Sequence, residues 1–570
     1  MLSRRIAPLL LALVLGGLAV SSPRLGRGAT PAGNEATMTL AALSAAHDHD
    51  LRFETADLQR GNRLWSEGPV GIRLTSRPDE SVLRFAVPVV VAIVSAPFAV
   101  AFGSAGLPVL NALLLAVLAW WASRLRPGSG MGAAFFLASG ALALVFRAEA
   151  HVLCLALVFA ALALALPEPE PAGTAQRWWT LALAGAFAGA ALSLSLAAAW
   201  GGLVLVVDLV GQRKFRSVAT LLAGALLTLI VLAFAQHRLT GSWFPNAAPV
   251  QEWSGPFPGE SGAGAGHPVA VEAWRLAARP SRAGRALFDR ALGRHEGLVA
   301  FFPLAALALV VGWRGADRRR RLLLAALVAA LAGGALGRGG ASPVPAYAGF
   351  LPLLPLAFLA LPERVGPRSV TLVAAALGLW TLPAIAAAWA TPAGGAVASV
   401  SSLSTFQALP LELTALSDPE AQPELARLRW GDVVWLVPKS TFFPDEHHPH
   451  GIWVRGGSRS EIVLASPHPL DRLDLRLYSL ASPNPVTLET PAGSVVVPFT
   501  SGSELSAGVD VSLALRPAAH DLGVVLAAPQ PEWLYRVVLR VGEGTVLRRQ
   551  RSRGDVRDLG VFLSVDGQPP

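Results

Sequence analysis

The sequence predicts a polytopic α-helical membrane protein of about eleven spans, followed by a C-terminal β-sandwich domain outside the membrane. Apolar residues make up 53% of the chain, its mean hydropathy is +0.49, and only 15% of its residues are charged. Several apolar blocks reach the roughly 20 residues that a helix needs to cross about 30 Å of hydrocarbon. From residue 405 onward, short β-prone runs alternate with Pro, Gly and Ser turns, which is typical of an antiparallel sandwich.

The placement of the arginines indicates how many of the apolar blocks cross the membrane. The blocks occupy residues 5–21, 85–103, 107–124, 131–147, 151–166, 178–194, 196–211, 217–236, 297–313, 321–337, 344–361 and 369–390. If all of them crossed from a cytoplasmic Arg4 and Arg5, the runs at 213–216 and 318–321 would lie outside, against the positive-inside rule. Either one block fails to cross, or one pair of blocks forms a single span.

Block 85–103 is the best candidate for a block that does not cross, because Pro88 and Pro97 interrupt it. We predict a juxtamembrane or re-entrant segment there, on the outer face. The remaining eleven spans place every strongly basic short loop inside, with an uncleaved first span and a cytoplasmic N-terminus. A transmembrane domain then covers residues 1–395, with outer loops at 22–84 and 237–296, and the β domain covers residues 405–570 on the outer side.

Charge and cysteine content narrow the function classes. The net charge is +9, but most arginines lie in short loops beside apolar blocks, where they set topology. We therefore predict no nucleic-acid partner. A single cysteine, Cys154, excludes an intrachain disulfide.

The first outer loop concentrates acid at His47-Asp48-His49-Asp50. A carboxylate beside a bilayer can act as a general base or a metal ligand, so Asp48 and Asp50 are the candidate catalytic residues. The alternative is a solvated acidic turn. Alternating His and Asp could also bind a divalent metal, but no metal site is evident and the cofactor stays undetermined. Glu54 and Asp57 fit a solvated helix face.

Other candidate residues lie at the outer ends of the predicted helices. Arginines match phosphate oxygens bidentately, and we predict donor-phosphate or substrate binding by Arg147, Glu149, His151, Arg238, Arg294 and Arg338. Alternatively, Arg147 and Glu149 lie in the head-group region of the bilayer. The arginines of loop 237–296 could instead form an amphipathic helix on anionic lipids.

The C-terminal domain offers two weaker signals. The tract Asp445-Glu446-His447-His448-Pro449-His450 resembles a metal site, but a solvated loop explains it better. Trp453 lies beside a tight turn and could stack on a sugar, although a core position is the default for tryptophan.

Residues 1–395 resemble the GT-C superfamily of integral-membrane glycosyltransferases. The resemblance is carried by the acidic loop at 48–53, the segment Val94–Gly103, the stretch Leu239–Asn246 and the stretch His295–Pro303. The aromatic-Pro-Pro-Gly stretch of that family is absent, and Thr75-Ser76-Arg77-Pro78 stands near its place.

The resemblance implies a bacterial inner-membrane enzyme that moves a sugar from a polyprenyl phosphate to a glycan, lipid or protein acceptor on the outer face, with inversion. A first-loop acid would be the base, Asp50 ahead of Asp48, and the periplasmic β domain would hold the acceptor or a partner glycan. Membrane lipids would surround the spans. Two rivals remain: a transporter or flippase of lipid-linked sugars, and a non-catalytic scaffold that presents the β domain.

Overall fold

A computed structural model divides the chain into two compact units. The first, here the helical unit, comprises Met1–Ala277, Leu298–Gly337 and Pro343–Gly394; the second, the β unit, comprises Ala278–Gly297, Arg338–Ser342 and Gly395–Pro570. The structure describes residues 2–23, 31, 33–65, 69, 71–76, 82–126, 131–166, 178–243, 250–253, 267–269, 287–294, 297–314, 316–336, 346–362, 367–390, 409, 425–438, 441–442, 451–479, 484–499, 508–517, 533–542, 545–546 and 558–565.

Apart from α2 and α3, which lie in the predicted outer loop at 22–84, the helices of the helical unit follow the apolar blocks in position. They are α1 (Leu2–Val20), α2 (Asn34–His47), α3 (Thr55–Leu64), α4 (Val89–Phe102), α5 (Gly106–Leu125), α6 (Met131–Leu137), α7 (Gly140–Val145), α8 (His151–Ala165), α9 (Trp178–Leu194), α10 (Ala199–Gly211), α11 (Phe215–Thr240), α12 (Leu298–Phe301), α13 (Pro303–Val311), α14 (Arg318–Leu336), α15 (Leu354–Ala360) and α16 (Pro367–Ala390).

The prediction of eleven spans is not supported. Within the described part of the chain, two helical stretches are long and apolar enough to cross a membrane, Val89–Leu125 and Phe215–Thr240. The first of these combines α4 and α5, which meet at a 3₁₀ turn where Gly103 has φ +57°. A helical polypeptide and a C-terminal β-sheet region are confirmed, but the span count is not.

Local breaks explain the short helices. Block 131–147 is divided at Ser139, whose hydroxyl accepts from Ala141 N and caps α7. Block 297–313 is divided before Pro303, which takes the first helical position of α13. In block 344–361 the backbone is 3₁₀ over Ala346–Leu353 before α15 begins. Hydropathy averages over such breaks, so it found the apolar blocks but not their interruptions.

Two predicted outer loops meet in one small antiparallel sheet. Its strands are β1 (Ile72–Ser76), β2 (Leu83–Phe85), β3 (Val250–Trp253) and β4 (His267–Val269), in the order β2-β1-β3-β4. Leu74 lies opposite both Phe85 and Gln251, so β1 joins the loop at 22–84 to the loop at 237–296. Most of the second loop lies outside the described residues.

Several basic loops lie at the same end of the helical unit. Arg126, just after α5, donates to the Leu361 carbonyl at 2.7 Å beyond α15. Arg318, at the start of α14, donates to the Gly211 carbonyl at 3.1 Å. Gly312 lies against the last carbonyl of α15. The loops after α5, α10, α13 and α15 therefore share one end of the unit.

The β unit contains two antiparallel sheets. Its strands are β5 (Leu425–Trp430), β6 (Val433–Pro438), β7 (Gly451–Arg455), β8 (Arg459–Ser466), β9 (Arg472–Ser479), β10 (Asn484–Thr490), β11 (Gly493–Phe499), β12 (Val509–Ala514), β13 (Trp533–Val541), β14 (Thr545–Val546) and β15 (Asp558–Ser564). One sheet has the order β11-β10-β13-β8-β6-β5, and the other has the order β12-β9-β15-β14 with β7 on β15.

The two sheets share one hydrophobic core. Trp435 and Ile462 of the first sheet and Leu477 and Leu563 of the second belong to the same buried cluster. Burial between two sheet faces follows from the period-two alternation of side chains along each strand. Trp453 is buried with Tyr478 and Phe562 in a separate small cluster, so it is a core residue. The tract at 445–450 lies outside the described residues.

Candidate functional site

A cluster of buried charges joins α2 to the turn before α8. The Nε of Arg147 lies 2.9 Å from Glu35 Oε1 and 3.3 Å from Glu149 Oε1. The Nε2 of His151 lies 3.4 Å from Glu149 Oε2. The two carboxylate side chains are 6% and 3% exposed. Two buried acids and one guanidinium in an otherwise apolar unit need their mutual pairing to be tolerated. We call these four residues the Glu35 cluster.

The sequence before α2 explains how Glu35 reaches the cluster. Gly33 precedes the helix with φ +58° and ψ −125°, a conformation that residues with a side chain rarely adopt. Thr37 then donates its hydroxyl to the Gly33 carbonyl at 2.7 Å and accepts from Arg73 N at 2.9 Å. Glu35 lies in the first helical turn, where the positive end of the helix dipole favours a carboxylate.

A buried amide from α5 fixes the turn that carries the other members. The Nδ2 of Asn111 donates to the Arg147 carbonyl at 3.0 Å and to the Glu149 carbonyl at 3.2 Å. Glu149 N also donates to the Arg147 carbonyl at 2.9 Å. Asn111 therefore ties the backbone of the turn to a neighbouring helix, which orients the Arg147 and Glu149 side chains.

The Glu35 cluster lies at the end of the helices opposite the basic loops. Asn111 is near the start of α5, and Arg126 follows its last residue. Fifteen positions separate the two, which is about 22 Å at 1.5 Å per helical residue. On the same end as the cluster, Gln236 of α11 accepts from Val89 N at 2.7 Å and donates to the Val87 carbonyl at 3.1 Å. These bonds fix the first turn of α4.

Asp48 and Asp50 lie at the other end of α2 from Glu35. Thirteen residues separate Glu35 from Asp48, which is about 20 Å along a helix. The structure thus brings Arg147, Glu149 and His151 together as predicted substrate residues, but with Glu35 instead of the two predicted bases. The described residues contain no group of three or more His, Cys, Asp or Glu side chains arranged to hold a metal ion.

Arg60 of α3 engages two of the first-loop acids. It donates to Asp48 through both terminal nitrogens, with Nη2 at 2.6 Å from Oδ1, and to Asp57 Oδ1 at 2.7 Å. Its hydrogen bonds hold the pKa of Asp48 below the usual value. Because Arg60 donates to both carboxylate oxygens of Asp48, neither oxygen is positioned to accept a proton from a substrate, which weakens the case for Asp48 as a base.

Asp50 accepts hydrogen bonds from residues close to it in the chain. Its Oδ1 accepts from Arg52 N at 3.1 Å and from the Ser44 hydroxyl at 3.3 Å. The adjoining Leu51 and Phe53 are buried, and both pair through the backbone with β2. Alternation along this extended segment turns Asp50 toward the surface, where its side chain is 31% exposed.

The remaining predicted phosphate residues are dispersed. Arg238, in the last turn of α11, lies over the Phe234 ring at 5.3 Å. Arg294 belongs to the β unit, where it is buried and paired with Glu461. Arg338 lies outside the described residues. The predicted phosphate contacts of these arginines stay predictions.

Comparison with protein-family models, curated proteins and solved structures gave no match. The site therefore rests on its own geometry. Sequence reasoning missed Glu35, in the first turn of α2, and Asn111, in the second turn of α5. A signal was present in each case, because each residue lies in a helix with many apolar positions, where a polar side chain is costly to bury without a partner.

Proposed function

We propose that this protein is a membrane glycosyltransferase that moves a sugar from a polyprenyl-phosphate donor to a hydroxyl acceptor, with inversion, at the outer face of a bacterial inner membrane. The observation that carries the proposal is the Glu35 cluster, a buried carboxylate pair around one guanidinium. Glu35 takes the role of general base that the sequence suggested for Asp48 or Asp50, and it lies in the same predicted outer loop.

The surface of α11 supports a membrane location. Large apolar side chains on this helix are more than half exposed: Leu226, Leu227, Ile230, Val231 and Phe234. At 26 residues, the helix is about 39 Å long, enough to cross the hydrocarbon. A contiguous apolar surface of this kind is stable against lipid and unfavourable against water.

The distribution of charge supports the sidedness. The loops after α5, α10, α13 and α15 are basic and share one end of the helical unit, as the positive-inside rule requires of cytoplasmic loops. The Glu35 cluster and the sheet of β1–β4 belong to the opposite, outer end. A donor whose phosphate lies at the outer head-group level would meet the cluster there.

The chemistry needs a base and a stabilised leaving group. Glu35 accepts the proton of the acceptor hydroxyl while the oxygen of that hydroxyl attacks the anomeric carbon. The bond from that carbon to the phosphate oxygen breaks, and its electron pair leaves with the phosphate. Arg147 and His151 supply donors where this negative charge develops. Glu149 contacts both of these residues through different oxygens, which suits it to hold them in place.

The position of the cluster favours a transferase over a transporter. Transporters place their polar sites near the middle of the membrane, often at interrupted helices related by internal repeats. Here Asn111 lies in the second turn of α5, and Glu149 precedes the first residue of α8. A site at the helix ends lies nearer to an acceptor outside the membrane than a site at the midplane would.

Purified protein in liposomes, given a panel of polyprenyl-phosphate sugars and acceptor glycans, tests the proposal. We expect Glu35→Gln to lower kcat by about 10²–10⁴-fold, the usual contribution of a general base, with little change in KM for the donor. The matched control is Asp50→Asn, which should stay within a few-fold of wild type. Transfer that survives Glu35→Gln but is abolished in Asp50→Asn would return the role to Asp50.

A second assay separates the rival function. Fluorescent polyprenyl-phosphate sugar is incorporated in the same liposomes, and its movement between leaflets is followed by quenching. Leaflet exchange that depends on the protein, without transfer of any sugar, would make the protein a flippase and overturn the proposal.

A further inference from the structure

One face of the six-stranded sheet in the β unit is strongly basic. Arg427 pairs across strands with Leu436, Leu436 with Val463, and Val463 with Arg536. Residues directly opposite one another point to the same side of a sheet, and so do residues two apart on one strand. This face, opposite the shared core, therefore carries five arginines: Arg427, Arg429, Arg459, Arg536 and Arg540.

Two acidic side chains on this face already form ion pairs with arginines. Glu461 contacts Arg294 and lies 2.8 Å from Arg536 Nε. Glu489 lies 2.9 Å from Arg540 Nε. Among the residues that the structure describes, no acidic side chain lies within ion-pair distance of Arg427, Arg429 or Arg459, so this face retains uncompensated positive charge.

Arg459 lies on this face and is partly buried. Its pKa lies below the ordinary value, first because burial desolvates the guanidinium and then because Arg540 repels it, while Glu461 and Glu489 act in the opposite direction. A positive field over a partly desolvated surface raises the local concentration of anions. The exposed edge of this face, at Arg427 and Arg429, is thus suited to a negatively charged ligand.

A cavity opens at the edge of the same face. Its volume is about 210 Å³, and it is lined by Arg427, Arg429, Asp432, Val434, Ala465, Ser466 and Pro467. The two arginines lie two residues apart on the edge strand β5, so both can reach one ligand. Arg429 is oriented by a hydrogen bond from its Nε to the Gly431 carbonyl at 3.2 Å.

We propose that this cavity binds the acidic ring of a saccharide, with the ring carboxylate held by Arg427 and Arg429. A guanidinium donates two parallel hydrogen bonds to a carboxylate. Asp432 can accept hydrogen bonds from ring hydroxyls, and Val434, Ala465 and Pro467 offer an apolar surface for the C–H face of the ring. The cavity is smaller than the roughly 300–1,000 Å³ of sites for larger ligands, which fits a single ring.

The shape of the site favours a saccharide over a lipid surface. A flat bilayer would engage exposed arginines but would leave a concave site with a carboxylate at its edge unused. The cavity belongs to the β unit and the Glu35 cluster to the helical unit, so ligand binding to the cavity is measured independently of sugar transfer.

Binding to the full-length protein in zwitterionic nanodiscs tests the proposal. Methyl glucuronide is the probe, methyl glucoside its neutral match, and inorganic phosphate a separate arm; binding is followed by saturation-transfer NMR and calorimetry. We expect methyl glucuronide to bind, methyl glucoside to bind at least about tenfold more weakly, and affinity to fall with ionic strength.

The variant Arg427→Ala/Arg429→Ala should raise the Kd of methyl glucuronide by at least about tenfold. The control is Arg472→Ala, which removes an arginine that is 67% exposed on the other sheet. Melting temperatures of both variants equal to that of the wild type would show that the fold is intact.

Three results would overturn the inference. The first is equal binding of methyl glucuronide by wild type and the double variant. The second is binding of phosphate without binding of methyl glucuronide. The third is no saccharide binding, together with attachment to phosphatidylglycerol vesicles that the double variant loses; that result would identify a lipid surface as the ligand.

Discussion

Asp57 is a buried carboxylate whose ionisation should make stability depend on pH. Burial raises its pKa from the usual 3.8 to about 6, and its side chain is 1% exposed. The folded state therefore holds the proton more tightly than the unfolded chain does. The contribution of Asp57 to stability is fully present below about pH 4 and is lost as pH rises through about 6.

We expect the free energy of unfolding to decrease by up to about 3 kcal/mol from this group between pH 4 and pH 6.5, since each pKa unit corresponds to about 1.4 kcal/mol. Asp57→Asn should flatten that slope. Thermal unfolding of each variant across this pH range measures the effect. Asp48, whose pKa Arg60 lowers, titrates below this window. A slope that persists in Asp57→Asn would contradict the prediction.

The contrast between Glu35 and Asp48 shows what sequence could predict about the site. The acidic run at 47–50 is conspicuous because its charges are adjacent, yet adjacency of this kind is typical of exposed turns. Glu35 is isolated among residues that are buried along α2, and its partner Arg147 comes from a distant turn. Sequence identified Arg147, Glu149 and His151 because they are local neighbours, but it could not pair them with Glu35.

At the scale of elements, α9 and α11 pack through glycines. A Cβ placed on Gly185 would lie 2.0 Å from the Leu221 carbonyl oxygen, and one on Gly189 would lie 2.5 Å from the Ala225 carbonyl oxygen. Such spacing of small residues lets two helix backbones approach closely, and close approach stabilises helix pairs in lipid.

Gly185→Ala should therefore destabilise the protein by about 1–3 kcal/mol, the usual cost of overpacking. Gly202→Ala on α10 is the matched control because the added methyl group meets nothing within 4 Å, and it should be neutral or slightly stabilising. Melting temperatures in one detergent compare the two variants. Equal melting temperatures of the two variants would show that α9 and α11 accommodate the added methyl group without loss of stability.

Arg294 links a distant segment to the β unit. Its side chain is 2% exposed, pairs with Glu461, and donates to the Leu409 carbonyl at 2.7 Å. The sequence placed the boundary of the β domain near residue 405, but the unit also takes in residues 278–297. Hydropathy cannot show this, because the polar contacts of Arg294 join segments far apart in the chain.

Removing Arg294 should leave Glu461 buried with one fewer partner. We expect Arg294→Ala to destabilise the β unit by about 3–5 kcal/mol, as the loss of one partner from a buried pair does. Limited proteolysis of the full-length protein should then cut faster within residues 425–565. The exposed Arg472→Ala is the control and should not change the cleavage rate. Unchanged cleavage in Arg294→Ala would mean that the tie contributes little.

For the whole molecule, the two ends of the helical unit differ in charge, and this difference fixes the expected orientation. The end with Lys214 carries the basic loops, which the positive-inside rule assigns to the cytoplasm. The opposite end carries the Glu35 cluster together with the sheet of β1–β4, and Arg52 pairs through its backbone with Arg84 of that sheet. For work on an outer-leaflet donor, we propose that Arg52 faces outward and Lys214 inward, and that the C-terminal domain lies outside the membrane.

Single-cysteine labelling measures this orientation, because Cys154 is the sole cysteine and is buried. In a Cys154→Ser background, Arg52→Cys and Asp474→Cys place thiols at side chains that are 55% and 61% exposed. A membrane-impermeant maleimide should label both in intact spheroplasts, and should label Lys214→Cys only after lysis. The reverse pattern would place the Glu35 cluster in the cytoplasm, where an outer-leaflet donor could not reach it. Labelling of all three before lysis would show that no bilayer separates the two ends.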